Sequence, residues 1–73
     1  MKETIKVEFG LDKNGNDLFY VHKDKDKCFW IQKKDATKEI DTNLIKELLE
    51  PTSEGIEYIK SMYNRWYKEF CRG

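Results

Sequence analysis

Residues 5–21 read IKVEFGLDKNGNDLFYV, and how this stretch folds back on itself decides the architecture. Ile5, Val7 and Phe9 alternate with Lys6 and Glu8, the period of two that marks a strand with one buried face. Gly15 closes the run Asp12-Lys13-Asn14-Gly15, turn chemistry in which a glycine takes a positive φ at little cost. Beyond it, Leu18–Val21 is rich in β-forming side chains. Two hairpins are open to such a sequence. A two-residue turn at Asn14-Gly15 pairs Phe9 with Tyr20, whereas a three-residue turn with Gly15 in a bulge position pairs Phe9 with Phe19 and Val7 with Val21.

The second register is the better one. With a third strand at Cys28–Gln32, it gathers Ile5, Val7, Phe9, Phe19, Val21, Phe29 and Ile31 on one wholly apolar face. A slip of one residue would break that set, because neighbouring side chains on a strand point to opposite faces. Leu18, Tyr20, His22, Cys28, Trp30 and Gln32 must then share the other face. The alternating charges of His22–Lys27 are nearly neutral as a group and read as a solvated turn.

Downstream, a loop at about 33–40 leads to Asp41 or Thr42, either of which can cap a helix. Leu44, Ile45, Leu48 and Leu49 follow at helical spacing. Pro51 disfavours helical geometry at Glu50 and ends this helix. Thr52 or Ser53 caps a second one that runs to about Phe70. Its apolar positions, Ile56, Ile59, Met62, Tyr63, Trp66, Tyr67 and Phe70, fall within an arc of roughly 140°, wide enough to face a core. Tyr58 and Arg65 lie outside the arc. The expected fold is therefore a single α+β domain over residues 1–73. A three-stranded antiparallel meander is followed by two helices (β-β-β-α-α), with the long C-terminal helix on the apolar sheet face and the short one closing an end of the core.

Composition bounds the function. Basic and acidic residues number 14 each, so the formal net charge is zero. Residues 1–38 carry nine lysines against seven acids and residues 39–73 five basic groups against seven, an asymmetry too weak to steer a polyanion. The apolar run of a secretory signal is missing from the N-terminus, no stretch is long enough to span a membrane, and two cysteines make no disulfide framework. The expectation is a cytoplasmic protein with reduced thiols.

Signals for chemistry are thin. His22 and Cys28 become cross-strand neighbours in the preferred register, but an open sheet surface neither excludes water nor builds an oxyanion site. One histidine and two cysteines lack zinc-site spacing. Asp12–Asp17 superficially matches a calcium loop, yet Gly15 stands fourth and Lys23 twelfth, where that loop needs Gly sixth and Glu twelfth. No phosphate-binding glycine loop is present. The chain reads as a non-enzyme with neither cofactor nor metal.

The aromatic residues carry more weight, since they make up 14% of the chain. Tyr63, Trp66 and Phe70 belong to the helix stripe. Tyr20 and Trp30 fall on the uncovered face, unless the 33–40 loop or the N-terminus folds over it. An exposed aromatic patch marks an interaction site. The expected partner-binding residues are Leu18, Tyr20, His22, Trp30 and Gln32, rimmed by Lys6 and Glu8. The edge strands offer a second route, by pairing with a partner strand. The expected function is a protein-interaction module that binds another protein or a second copy of itself. Small lysine-rich chains of this kind are common among phage and mobile-element accessory proteins, which act as inhibitors by occluding a host protein. The alternative is nucleic-acid binding by the same face, with Lys23, Lys25, Lys27, Lys33 and Lys34 on phosphates and the aromatic rings on bases. In that reading the three-stranded sheet plus helix resembles integrase arm-binding domains, but Asp24, Asp26 and Asp35 interleave with the lysines and weaken a phosphate contact.

Overall fold

The computed structural model describes residues 4–24 and 26–71. Three strands, β1 (Ile5–Leu11), β2 (Asp17–Lys23) and β3 (Lys27–Gln32), form an antiparallel sheet in the order β1-β2-β3. A 3-10 turn (Lys33–Asp35) leads through a loop to α1 (Thr42–Leu49) and α2 (Ser53–Trp66), and a π-helical turn (Tyr67–Cys71) extends α2.

The first hairpin takes the three-residue turn. Phe9 pairs with Phe19 and Val7 with Val21, and Gly15 has a φ of 81°. Asp12 organises the turn from both its backbone and its side chain. Its N–H donates to the Asn16 carbonyl at 2.8 Å, and its Oδ1 accepts the N–H groups of Asn14 (2.8 Å) and Asn16 (2.9 Å). The bond from the Asn16 N–H is the main reason that the Asp12 carboxyl is held below its ordinary pKa, against a smaller opposing effect of desolvation. A carboxyl depressed on folding stabilises above its unfolded pKa and loses that contribution as pH falls through the folded one. An NMR titration should place the Asp12 midpoint below 3.8, with the Asn14 and Asn16 amides moving in step. A midpoint at or above that value would remove the carboxylate from the turn.

The charged run 22–27 contributes more to the sheet than its polarity suggests. His22 pairs with Cys28 and Lys23 with Lys27, so of the described residues only Asp24 and Asp26 are left to the turn. Asp24 adopts the left-handed region there (φ 56°), and it exchanges backbone and side-chain hydrogen bonds with Thr4. Strand pairing continues through lysines because their long stems reach past the sheet while the backbone completes its ladder.

The apolar face is the one the register requires. Phe19, Val21 and Phe29 are buried with Ile45 and Leu49 of α1 and Ile59, Tyr63 and Trp66 of α2, while Ile5, Val7 and Ile31 pack against this cluster. Phe19 sits at its centre, edge-on to Tyr63 with ring centroids 5.2 Å apart and 5.6 Å from the Trp66 ring. The Trp66 indole Nε1 is buried without a hydrogen-bond partner among the described residues.

Both helices start where capping residues were expected. Asp41 accepts the N–H groups of Asn43 and Leu44, and Thr52 accepts that of Gly55. Glu50, just before Pro51, closes α1 with a left-handed φ of 50°. The short helix does more than close an end of the core, because it packs along β3. The last carbonyls of this segment are held from the sheet: Lys23 Nζ donates to the carbonyls of Leu49 and Glu50, both at 2.8 Å. The long helix stops sooner than its apolar stripe. From Tyr67 the turn widens to the π form, and Phe70 lies edge-on to Phe9 at 6.0 Å.

Candidate interaction surface

The even-numbered positions of the three strands form the sheet face opposite the helices, in three cross-strand rows. Gly10, Leu18 and Gln32 make one; Glu8, Tyr20 and Trp30 the second; Lys6, His22 and Cys28 the third. All five expected partner-binding residues, Leu18, Tyr20, His22, Trp30 and Gln32, are therefore brought together on one face.

The 33–40 loop does not cover it. Ala36 and Ile40 pack against the core on the other side. There the loop is pinned by Tyr63, whose hydroxyl donates to the Thr37 carbonyl (2.6 Å) and accepts the Thr37 N–H (3.0 Å). Burial pushes the Tyr63 hydroxyl above its ordinary pKa, with hydrogen bonding to Thr37 a smaller, opposing effect. Trp30 is accordingly 53% exposed.

The aromatic groups form a continuous run. Trp30 stacks with Tyr20 at a centroid distance of 5.9 Å and an interplanar angle of 17°. Tyr20 lies 4.3 Å from the His22 ring, and His22 Nε2 stands 3.4 Å from Glu8 Oε2. The Tyr20 hydroxyl is held above its ordinary pKa, chiefly by its hydrogen bond with the Cys28 side chain, with desolvation second and the Glu8 charge a minor contribution. This diagonal contact is absent from the sequence reading, though it was implicit in the register: on an antiparallel pair, residues i and j±2 of one face lie within reach of a long side chain. Each ring packs against a neighbouring ring, and side chains already held in place lose less freedom when a surface is covered.

Cys28 and His22 are cross-strand neighbours, and the imidazole lies against Glu8. Cys71 packs against the core on the opposite face of the sheet, and both cysteines are free. Among the described residues, no three of His, Cys, Asp or Glu converge as a metal site would require.

The lysines of the alternative reading are dispersed. Lys23 and Lys27 occupy odd-numbered positions, on the helix side of the sheet. Lys23 is engaged at the end of α1, Lys27 Nζ lies 3.5 Å from Glu50, and Lys33 Nζ lies 3.8 Å from Asp17. Lys34 lies near Asp12, where its charge contributes to the lowered carboxyl pKa. Lys25 is outside the described residues. Two apolar features escaped the sequence reading. Leu44 and Leu48 leave a ridge on the outer side of α1, and Leu11 is 65% exposed at the end of β1. The period of α1 gives no signal for the first, since Leu44, Ile45, Leu48 and Leu49 span an arc of about 140°, no wider than that of α2; the packing of α1 along β3 selects Ile45 and Leu49 for burial.

Compared with protein-family models, curated proteins and solved structures, the chain has no match. Among the described residues no helix is long and apolar enough to cross a membrane.

Proposed function

We propose that this chain is a non-enzymatic binding module that docks another protein on its aromatic sheet face and so occludes the surface it covers. The carrying observation is the exposed Trp30 ring on the edge strand β3, stacked on Tyr20 of the central strand, with Lys6, Glu8, His22 and Gln32 bordering the two rings on the same face. An exposed aromatic surface bordered by polar groups resembles an interface core and its rim. The net charge of zero and the one lysine and one glutamate in the three rows, Lys6 and Glu8, suit a partner whose surface is apolar and close to neutral. His22 and Cys28 lie on an open face where water is not excluded, which supports recognition over catalysis. The free thiols suit a reducing compartment such as the cytoplasm. Occlusion of a host protein, in the manner of a phage or mobile-element inhibitor, is the finer form of the same proposal.

Nucleic acid is the competing occupant, and salt separates the two. Tryptophan emission is followed in a Trp66→Phe variant, where Trp30 is the only reporter, during titration with single- and double-stranded DNA and RNA. The expected result is no saturable quenching at low or moderate salt. Quenching that saturates and then vanishes as salt rises is the behaviour of phosphate contacts and would replace this proposal with the nucleic-acid reading.

A further inference from the structure

β1 is an edge of the sheet, and among the described residues nothing pairs with its outer side. Which backbone groups point outward follows from two bonds. The Asp12 N–H reaches the Asn16 carbonyl, and the Asp24 N–H reaches the Thr4 carbonyl. Both join even-numbered β1-side residues to β2. Because hydrogen-bonded and non-hydrogen-bonded pairs alternate along an antiparallel ladder, Lys6, Glu8 and Gly10 also bond inward. Ile5, Val7, Phe9 and Leu11 therefore present their N–H and C=O groups to the open side.

Of the usual protections this edge carries only its charges, Lys6 and Glu8. It has no proline and is seven residues long, and toward the turn its helix-side residues are partly open, with Phe9 37% exposed and Leu11 65%. Long, unprotected edges with apolar side chains recruit another strand. α2 packs against the inner faces of both β1 and β2, and Phe70 meets Phe9 edge-on, but these contacts engage side chains on one face of β1 and leave its outer backbone groups unpaired among the described residues.

We propose that the open edge of β1 pairs antiparallel with β1 of a second copy, about a two-fold axis through Val7. Charge selects this register. An outward residue must meet an outward residue, so the axis passes through a residue and not between two. An axis at Val7 sets Val7 opposite Val7 and Ile5 opposite Phe9 on the helix side. On the aromatic side it sets Lys6 opposite Glu8, and by symmetry Glu8 opposite Lys6. An axis at Glu8 sets glutamate against glutamate, and one at Lys6 sets lysine against lysine, both unfavourable directly across a pair. An axis at Phe9 sets Lys6 against Asp12, whose carboxylate already accepts the two turn N–H groups, and leaves Glu8 facing Gly10. Lys6 makes no ion pair among the described residues, so its ammonium is available. The contact is isologous, as a two-fold interface must be, and it puts both aromatic faces on the same side of one continuous sheet. It uses the strand edge and not the Trp30 ring; Lys6 and Glu8 also belong to the rim of the docking face proposed above, so the test is made on the chain alone, with no docking partner present.

The test is sedimentation of the full chain across micromolar to submillimolar concentrations. The expected result is a reversible dimer. Lys6→Glu and Glu8→Lys each weaken it about tenfold or more, by turning two attractive pairs into two repulsive ones. The double variant K6E/E8K restores it to within about threefold of the original, because the swap rebuilds the same pairs. Val7→Pro removes an outward N–H and no bond to β2, a position where an edge strand accepts proline. It should give a monomer whose circular dichroism remains that of the folded chain. A chain monomeric at every concentration would overturn the proposal. So would a dimer indifferent to Glu8→Lys, or one that the double swap fails to restore.

Discussion

Trp66→Ala should lower the unfolding free energy by about 3–5 kcal/mol, the usual cost of deleting a large buried aromatic side chain. Trp66 is fully buried, and its ring lies 5.6 Å from Phe19 and 5.7 Å from Tyr63. These three rings join α2 to the central strand, so the cavity left behind would open at the middle of the core. A domain of this size has about 5–15 kcal/mol in all, and the variant would sit near its folding threshold. Urea denaturation followed by circular dichroism measures the change. Trp66→Phe supplies an internal control. It loses area but also removes an indole N–H that has no partner among the described residues, relieving an orphaned donor's desolvation penalty of about 1–3 kcal/mol. Its cost should fall well below that of the alanine variant. If both variants cost the same, the indole nitrogen has no energetic significance.

Trp30→Ala should do the reverse. It should weaken binding of the partner by about 30-fold or more, the size of effect that defines an interface hot spot, with unfolding free energy changed by less than about 1 kcal/mol. The reason is position: Trp30 is on the same sheet as Phe29 but on the other face, 53% exposed and supported by Tyr20 alone among the aromatic groups. Affinity capture on immobilised wild-type and variant chains identifies the partner, and calorimetry with the purified partner gives the affinity. A loss of stability matching that of Trp66→Ala would make Trp30 a packing residue. Unchanged affinity would move the docking site elsewhere, with the Leu44–Leu48 ridge of α1 next to be tested.

The contrast between the two tryptophans was legible in the sequence because it follows from parity. Once Phe9 is paired with Phe19, every side chain in the three strands is assigned to a face, and Trp30 must lie opposite Phe29. The same holds for Asp41, Pro51 and Thr52, whose local chemistry is enough to start or stop a helix. What was not legible depends on contacts distant in the chain. Lys23 lies in a run that reads as a solvated turn, and its bonds to the Leu49 and Glu50 carbonyls depend on the arrival of α1, 26 residues along the chain. The loop after β3 was an open question because its position is decided by the Tyr63 hydroxyl, 26 residues from Thr37. The π turn at Tyr67 likewise follows no propensity in residues 67–71; it coincides with the contact between Phe70 and Phe9.

The bond from Lys23 to the end of α1 bears on how this molecule comes apart. A helix of eight residues is too short to persist alone in water, so α1 draws its order from β3 beneath it and from the ammonium that holds its last carbonyls. Lys23 belongs to the β2–β3 hairpin, whose other strand carries Trp30. Fraying of that hairpin is therefore expected to release α1 with it, although α1 packs on the sheet face opposite Trp30. A partner that clamps Trp30 and Tyr20 would slow amide exchange in α1, a segment it never touches.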